Sequence, residues 1–492
     1  MSGLLLVGTR KGLFIYRRES AGWKTGAPSF LGDPVTAVLH DERDDSIHAG
    51  LNLGHFGVKM HRSEGLGETW NERTVPAFPE KPADWEERDD KPGTKAPWSI
   101  GEIWALEHGG SDRPGVLWCG TIPGGLFRSE DFGETWELQR SLWDRPERLE
   151  WMGGGADDAA IHSICVHPEN SDHVTLGVSI GGIWITRDGG KSWVLEGRGM
   201  EADYMPPERR EHPGVQDPHR LVQCRAAPNH LWVQHHNGIF RSADGGAEWQ
   251  RIQEAGPSTF GFAVAVHPED PDTAWFVPGV KDECRVPVDG RFVVTRTRDG
   301  GKTFDVLDQG LPGLPSDDIV FRHALDVDDT GDVLAMGSTT GGSGSRKMAA
   351  TIGRRCQSTC RRCTACGSRS NCELYSPLLW QLEADHLRAV PQKQFPVGDH
   401  GMIPRLPGEH FELRDFAVLL RSGLEKNKLP LLAEDNQHAG IDDQEHLSVP
   451  VAPTLPATLP GLEVDAREDA RVEAVRVAIV FEEIVEVRLQ TA

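Results

Sequence analysis

The chain of 492 residues predicts an all-β fold, a β-propeller, on three observations: one turn phrase recurs at regular spacing, a glycine-led strand precedes each copy, and helical periodicity is absent. The phrase reads Ser129-Glu-Asp131-Phe-Gly133-Glu-Thr135-Trp136, then Thr186-Arg-Asp188-Gly-Gly190-Lys-Ser192-Trp193. It returns as Ser242-Ala-Asp244-Gly-Gly246-Ala-Glu-Trp249 and Thr297-Arg-Asp299-Gly-Gly301-Lys-Thr303-Phe304. Asp131, Asp188, Asp244 and Asp299 are assigned a structural role. A carboxylate can accept backbone N–H groups inside a tight turn, glycine supplies the positive φ, and the aromatic ring packs back under the sheet. Ser63 to Trp70 is a degraded copy with Gly65 at the aspartate position, and a remnant ends at Trp23.

The strands come next. Gly124-Gly-Leu-Phe-Arg128, Gly181-Gly-Ile-Trp184 and Asn237-Gly-Ile-Phe-Arg241 lead into the turns, and apolar runs such as Ile161 to Val166 and Phe262 to Val266 precede them. Short strands with Gly-rich turns at a period of roughly 50 to 65 residues fit four-stranded propeller blades better than a sandwich or a βαβ fold. The turn phrase resembles the Asp-box of the BNR-repeat propellers, a group that includes sialidases, sortilin-type receptors and many bacterial glycosyl-hydrolase-like proteins. The resemblance covers nearly all of residues 1–342. It specifies the fold and leaves the activity open.

After Gly342 the repeat predicts another strand and another box, but the chain continues Ser-Gly-Ser-Arg-Lys-Met348. Back-translating Ser343 to Ser368 and reading one base earlier yields LWVSEDGGDNWQTLSVHLPPVYCVRF, which contains the missing strand and a full box. This reading implies a frameshift near codon 342, in the gene or its sequence record. It makes the propeller seven-bladed with a corrupted last blade, closed by the hidden VYCVRF strand against Leu4 to Val7. The expected organisation is therefore a propeller over 1–342, a frameshifted remnant over 343–371 and an irregular read-through tail over 372–492. Pro450 to Pro460 is Pro-rich and linker-like, and Arg471 to Leu489 fits either strand or helix. Cys356, Cys360, Cys363 and Cys366 have metal-ligand spacing, but the frame argument assigns them to the remnant. No metal and no cofactor are expected.

A formal net charge of −23 argues against nucleic acid, whose ligands carry basic stripes. Leu4 to Val7 is too short for a signal-peptide core or a membrane span, so a cytoplasmic protein without membrane association is expected. Cys119, Cys165, Cys224 and Cys284 stand singly, as reduced thiols do.

In a propeller the innermost strand starts at the top face, and the turn between the second and third strands reaches the same face. That map places Arg10, His55, His235 and His236 on top through the turns. It places Glu102, His162, His219, Arg220, Arg322 and His323 there through the starts of innermost strands. These ten residues are the predicted ligand-binding set. Only one of His235 and His236 is expected to enter the channel, because successive strand residues face opposite ways. Long loops over 75–100, 141–160 and 199–218 feed the same face with Trp143, Trp151, Tyr204 and several carboxylates, which suits a sugar.

Sialidases of this architecture hold a substrate carboxylate with three arginines and use a tyrosine nucleophile, a glutamate and an acid/base aspartate. The resemblance implies Arg10, Arg220 and Arg322 for the first role, and Tyr204, Glu201 and Asp217 as the catalytic candidates. The Arg-Ile-Pro phrase usual at the first arginine is missing. Two functions are carried forward: a propeller that binds a glycan, peptide or protein partner on its top face, and an exo-sialidase-type glycoside hydrolase. A third class, an assembly factor for a larger complex, is allowed by the fold. Oligomeric state is left open.

Overall fold

The computed structural model describes residues 3–20, 22–153, 158–309, 311–339, 353–354 and 484–491. The segment read as a frameshifted remnant, 343–371 (apart from Gly353–Arg354), most of the segment read as a tail and the four clustered cysteines lie outside the described residues.

The architecture is an all-β propeller with six four-stranded blades and one three-stranded sheet. The second to sixth blades each use four consecutive strands, running antiparallel from the channel outward. Their innermost strands are Val35–Asp41, Glu102–His108, Ile161–Val166, Pro218–Gln223 and Gly261–Val266. The three-stranded sheet begins with Leu325–Val327, followed by Val333–Met336 and Gly353–Arg354. The first blade is assembled from both ends of the sequence: Ile484–Thr491 lies inside Gly3–Thr9, which pairs with Gly12–Glu19, which pairs in turn with Gly22–Thr25. Ile484–Thr491 also neighbours the innermost strand of the second blade and that of the three-stranded sheet, so the innermost strands form a closed ring. The partner of Leu4 to Val7 thus comes from the segment that the sequence left as strand or helix.

The core lies between blades. Ile183, Ile185, Leu221, Leu231, Phe240 and Trp249 form one cluster shared by the fourth and fifth blades. Trp118, Ile161, Leu176, Trp184 and Trp193 do the same between the third and fourth. Second strands are covered on both faces, so Val174–Val178 and Leu231–His235 are buried throughout and show no polar alternation. Cys119, Cys165, Cys224 and Cys284 are free thiols, and no described helix is long and apolar enough to cross a membrane.

The turn phrases join third to fourth strands, as their chemistry requires. Asp188 Oδ1 accepts from Ser192 N at 2.9 Å and its Oδ2 from the Ser192 hydroxyl at 2.6 Å, while Thr186 Oγ1 accepts from Gly190 N at 3.0 Å. Gly190 has φ 89°, a region costly to any residue with a Cβ. Asp131 and Asp299 repeat the arrangement, and Asp244, with Glu248 in place of the hydroxyl residue, keeps its backbone part. In the degraded copy the serine half survives, Ser63 Oγ accepting from Gly67 N at 2.8 Å.

These turns predict an acid sensitivity. Hydrogen bonds from Ser192 and Thr303 hold Asp188 and Asp299 down to about 2 from an ordinary 3.8, so their contribution is complete above 3.8 and disappears as pH falls toward 2. His48, buried in Ser46–Asn52, is pushed by burial from 6.5 down to about 4. The unfolded chain therefore takes up a proton that the folded one refuses. Stability is expected to fall in two steps, from pH 6.5 to about 4 through His48 together with the similarly lowered His162, His173 and His235, and then from about 4 to 2 through the boxes. Urea midpoints across this range, with His48→Gln reducing the first step, provide the check.

Candidate functional site

The innermost strands share a local irregularity that sets up the site. Pairing with the second strand shifts between Val35 and Ala37, Ile103 and Ala105, Ile161 and Ser163, Pro218 and Arg220, and Gly261 and Val264. A bulge re-aims the extra residue and kinks the strand. The residues concerned are Thr36, Trp104, His162, His219 and the pair Phe262 and Ala263, all one or two steps into their strands and therefore at the same end of the ring. Arg322 and His323 stand just before the innermost strand of the three-stranded sheet.

Several of these residues meet. The Trp104 ring stands edge-on to His162 at 5.7 Å and to His323 at 6.1 Å. The Arg322 guanidinium lies 4.8 Å above Trp104 and 5.7 Å from Phe262, and His219 stacks on Phe262 at 4.7 Å. His323 Nε2 donates to the His162 carbonyl at 2.7 Å, and Arg220 donates to the same oxygen at 3.2 Å. Ser163 Oγ bonds His162 Nδ1 at 2.8 Å, while His162 Nε2 is buried without a hydrogen-bond partner. Burial, with Arg322 and Arg220 nearby, holds His162 neutral.

Asp217, one residue before the fifth blade, is the centre of charge. Its Oδ2 lies 3.5 Å from His219 Nε2 and 3.5 Å from His236 Nδ1. Its Oδ1 accepts from Ile180 N at 3.2 Å and Ser179 Oγ at 3.3 Å, and its carbonyl accepts from His236 N at 3.0 Å. Burial opposes ionisation of Asp217, but His219, His236 and the charge of Arg322 outweigh it and hold the carboxyl well below its usual range. The bond to Asp217 raises His236, whereas burial lowers His219. Arg322, fully enclosed, is lowered by burial to about 10 and is held up by Asp217.

The remaining predicted residues fall into separate groups. Glu102 accepts from Asn52 Nδ2 at 3.5 Å and feels the charge of Arg10, while burial pushes its carboxyl up. Arg10 thus acts on Glu102, and Arg220 and Arg322 act on His162. His55 sits in a short exposed turn against Phe56. His236 approaches Asp217, as expected of one member of the pair, but His235 is fully buried beside it, and its two ring nitrogens face Asp217 N and Asn237 N at 3.0 Å each. Tyr204 stands edge-on to His236 at 5.1 Å; its hydroxyl donates to the Val215 carbonyl at 2.5 Å, and burial pushes the phenol up. Glu201 pairs with Arg251 of an outermost strand at 3.3 Å. Trp143 and Trp151, read as sugar-facing, are buried in the blade cores.

Sequence reasoning missed Trp104, Phe260, Phe262, Asp282 and Arg285. Phe262 was legible only as part of an apolar strand. Phe260 stands edge-on to His219 at 5.9 Å and His236 at 6.2 Å, and Arg285 lies 5.1 Å over Phe262 while paired to Asp282 at 2.7 Å.

No protein-family model matches the chain. Over 224 residues, 40% of this chain and 26% of the relative, it is 25% identical to a fungal protein of Neosartorya fischeri described as a probable oligoxyloglucan-reducing end-specific xyloglucanase. The chain spans about a quarter of the length of that relative. Among solved structures, an ancestral GH74 enzyme is similar with a TM-score of 0.43 and 16% identity, covering 62% of this chain and 34% of that one. YCF48 bound to D1 peptide is similar with a TM-score of 0.41 and 14% identity, covering 68% and 86%. The propeller itself is established by the chain's own strand order.

Proposed function

We propose that the protein binds a glycan at the top-face mouth of its channel. The observation that carries this reading is the meeting of two partly exposed rings, Trp104 and His236, with the buried charges of Arg322 and Asp217, which places ring surface for sugar C–H groups beside fixed charges, while the buried Phe262 supports the group from behind. It treats the three-stranded sheet as a seventh blade, because that sheet stands between the sixth blade and the first and contributes Arg322. The distant similarity to a xyloglucan-acting enzyme supports xyloglucan oligosaccharides as the first ligands to try.

Calorimetric titration with a panel of xyloglucan oligosaccharides and sialosides is expected to give saturable binding to one class. Tyr204→Ala, which removes a partly exposed ring beside His236, is expected to weaken it by about tenfold, as loss of an aromatic contact of about 1.4 kcal/mol would do. Absence of binding across the panel, or affinity untouched by Tyr204→Ala, overturns the reading and turns attention to peptide and protein partners.

A hydrolase is the second reading, favoured by one group. Glu102 is a buried carboxyl pushed upward, the direction that favours a proton-donating acid. The sialidase form has less support, since a nucleophilic tyrosine needs an activated hydroxyl and that of Tyr204 is bonded to a carbonyl and pushed up. Turnover of a fluorogenic sialoside or of xyloglucan oligosaccharides, abolished in Glu102→Gln, would support hydrolysis.

A further inference from the structure

We propose that Asp217, His219 and His236 form a site for one divalent transition-metal ion of the zinc class. The ligand atoms Asp217 Oδ2, His219 Nε2 and His236 Nδ1 lie within 4.8 Å of one another, and both carboxylate–imidazole distances are 3.5 Å. That separation is long for a charge-assisted hydrogen bond, which closes to about 2.7–2.9 Å. It matches the spacing of two ligands on a tetrahedral ion with bonds of about 2.0–2.1 Å, roughly 3.4 Å.

The second observation concerns the proton on His219. Its Nδ1 lies 2.7 Å from the Gly261 carbonyl, and a carbonyl can only accept, so the hydrogen is on Nδ1. In the neutral ring Nε2 then carries a lone pair facing the Asp217 carboxylate. A cation placed between that ring nitrogen and the carboxylate would be held by both. An imidazole that gives its outer N–H to a backbone carbonyl is also the usual support of a metal-bound histidine. Asp217 is braced in the same way, with Oδ1 occupied by Ile180 N and Ser179 Oγ and Oδ2 left to the cluster.

The backbone explains why three ligands converge. The pairing shift between Pro218 and Arg220 turns His219 toward Asp217, and the bond from His236 N to the Asp217 carbonyl draws the neighbouring turn against them. Two imidazoles and one carboxylate suit zinc or another first-row divalent ion over calcium or magnesium, which prefer all-oxygen sites. Three protein ligands leave a fourth position for water or a ligand oxygen.

The test uses the full chain, stripped with chelator and titrated with zinc and then cobalt in the absence of any glycan, so its outcome is independent of the glycan reading. The result expected is one equivalent bound whose cobalt spectrum shows visible d–d bands without the near-ultraviolet thiolate band that Cys356, Cys360, Cys363 and Cys366 would produce. His236→Ala should remove that equivalent, weakening it by more than the roughly 10–100-fold that loss of an outer-sphere partner costs. Its imidazole is about a quarter exposed, so the fold should tolerate the change, which circular dichroism verifies. Asp217→Asn should act in the same direction. Failure to bind a thiolate-free equivalent, or uptake unchanged in both variants, overturns the proposal.

Discussion

Trp184→Ala should be the most destabilising single truncation in the fourth blade, costing about 3–5 kcal/mol. The indole is fully buried in the third strand of that blade and packs edge-on against Trp151 at 5.9 Å. Its Nε1 donates to the Gly181 carbonyl at 2.9 Å. Alanine would leave an indole-sized cavity between two blades and an unpaired carbonyl. The surrounding strands are fixed by their own ladders, so the cavity can collapse only partly. The measurement is the urea midpoint, expected to drop sharply with little change in the slope of the transition. A loss under about 1 kcal/mol would mean that the blade interface relaxes freely, contrary to close packing.

Asp217→Ala should be nearly as costly, for an electrostatic reason. The carboxylate is enclosed 3.5 Å from His219 and His236 and its field supports the charge of Arg322, and removing the anionic member of a buried ionic cluster costs about 3–5 kcal/mol. Ser179 Oγ and Ile180 N lose their acceptor at the same time. Asp217→Asn preserves the shape and should cost less in stability while still removing the charge. Comparing the two by chemical denaturation separates the packing from the electrostatic part. Equal stability of Asp217→Ala and the unaltered protein would show that the cluster does not depend on this charge.

The blade architecture was legible because the Asp-box is a local device. Asp131, Asp188, Asp244 and Asp299 bond within their own eight-residue phrases, so spacing alone locates the turns and, through them, the strands and the face that each loop reaches. The site was legible only in outline. His219, His236 and Arg322 could be assigned to the top, but their grouping depends on non-local facts. Strict strand alternation cannot anticipate the bulge that aims Trp104, His162, His219 and Phe262. His235 illustrates the limit: alternation sends it away from the channel, yet its ring turns back to meet the backbone N–H of Asp217. Glu201 and Tyr204 were chosen from the family pattern and a shared loop. The structure gives them different neighbours, Arg251 at an outermost strand for one and the Val215 carbonyl for the other.

The pairing of Gly3–Thr9 with Ile484–Thr491 has a mechanical consequence. The strands are antiparallel, with Gly3 opposite Thr491. Ladder bonds in such a pair lie across the strands. Tension applied through residues 3 and 491 would load the bonds at that end first and part them one after another, like a zipper. A parallel arrangement would instead share the load in shear over the full strand length. A tether joined beyond both residues therefore pulls on the ring along its weakest direction, whereas one attached to a single end leaves that seam unloaded.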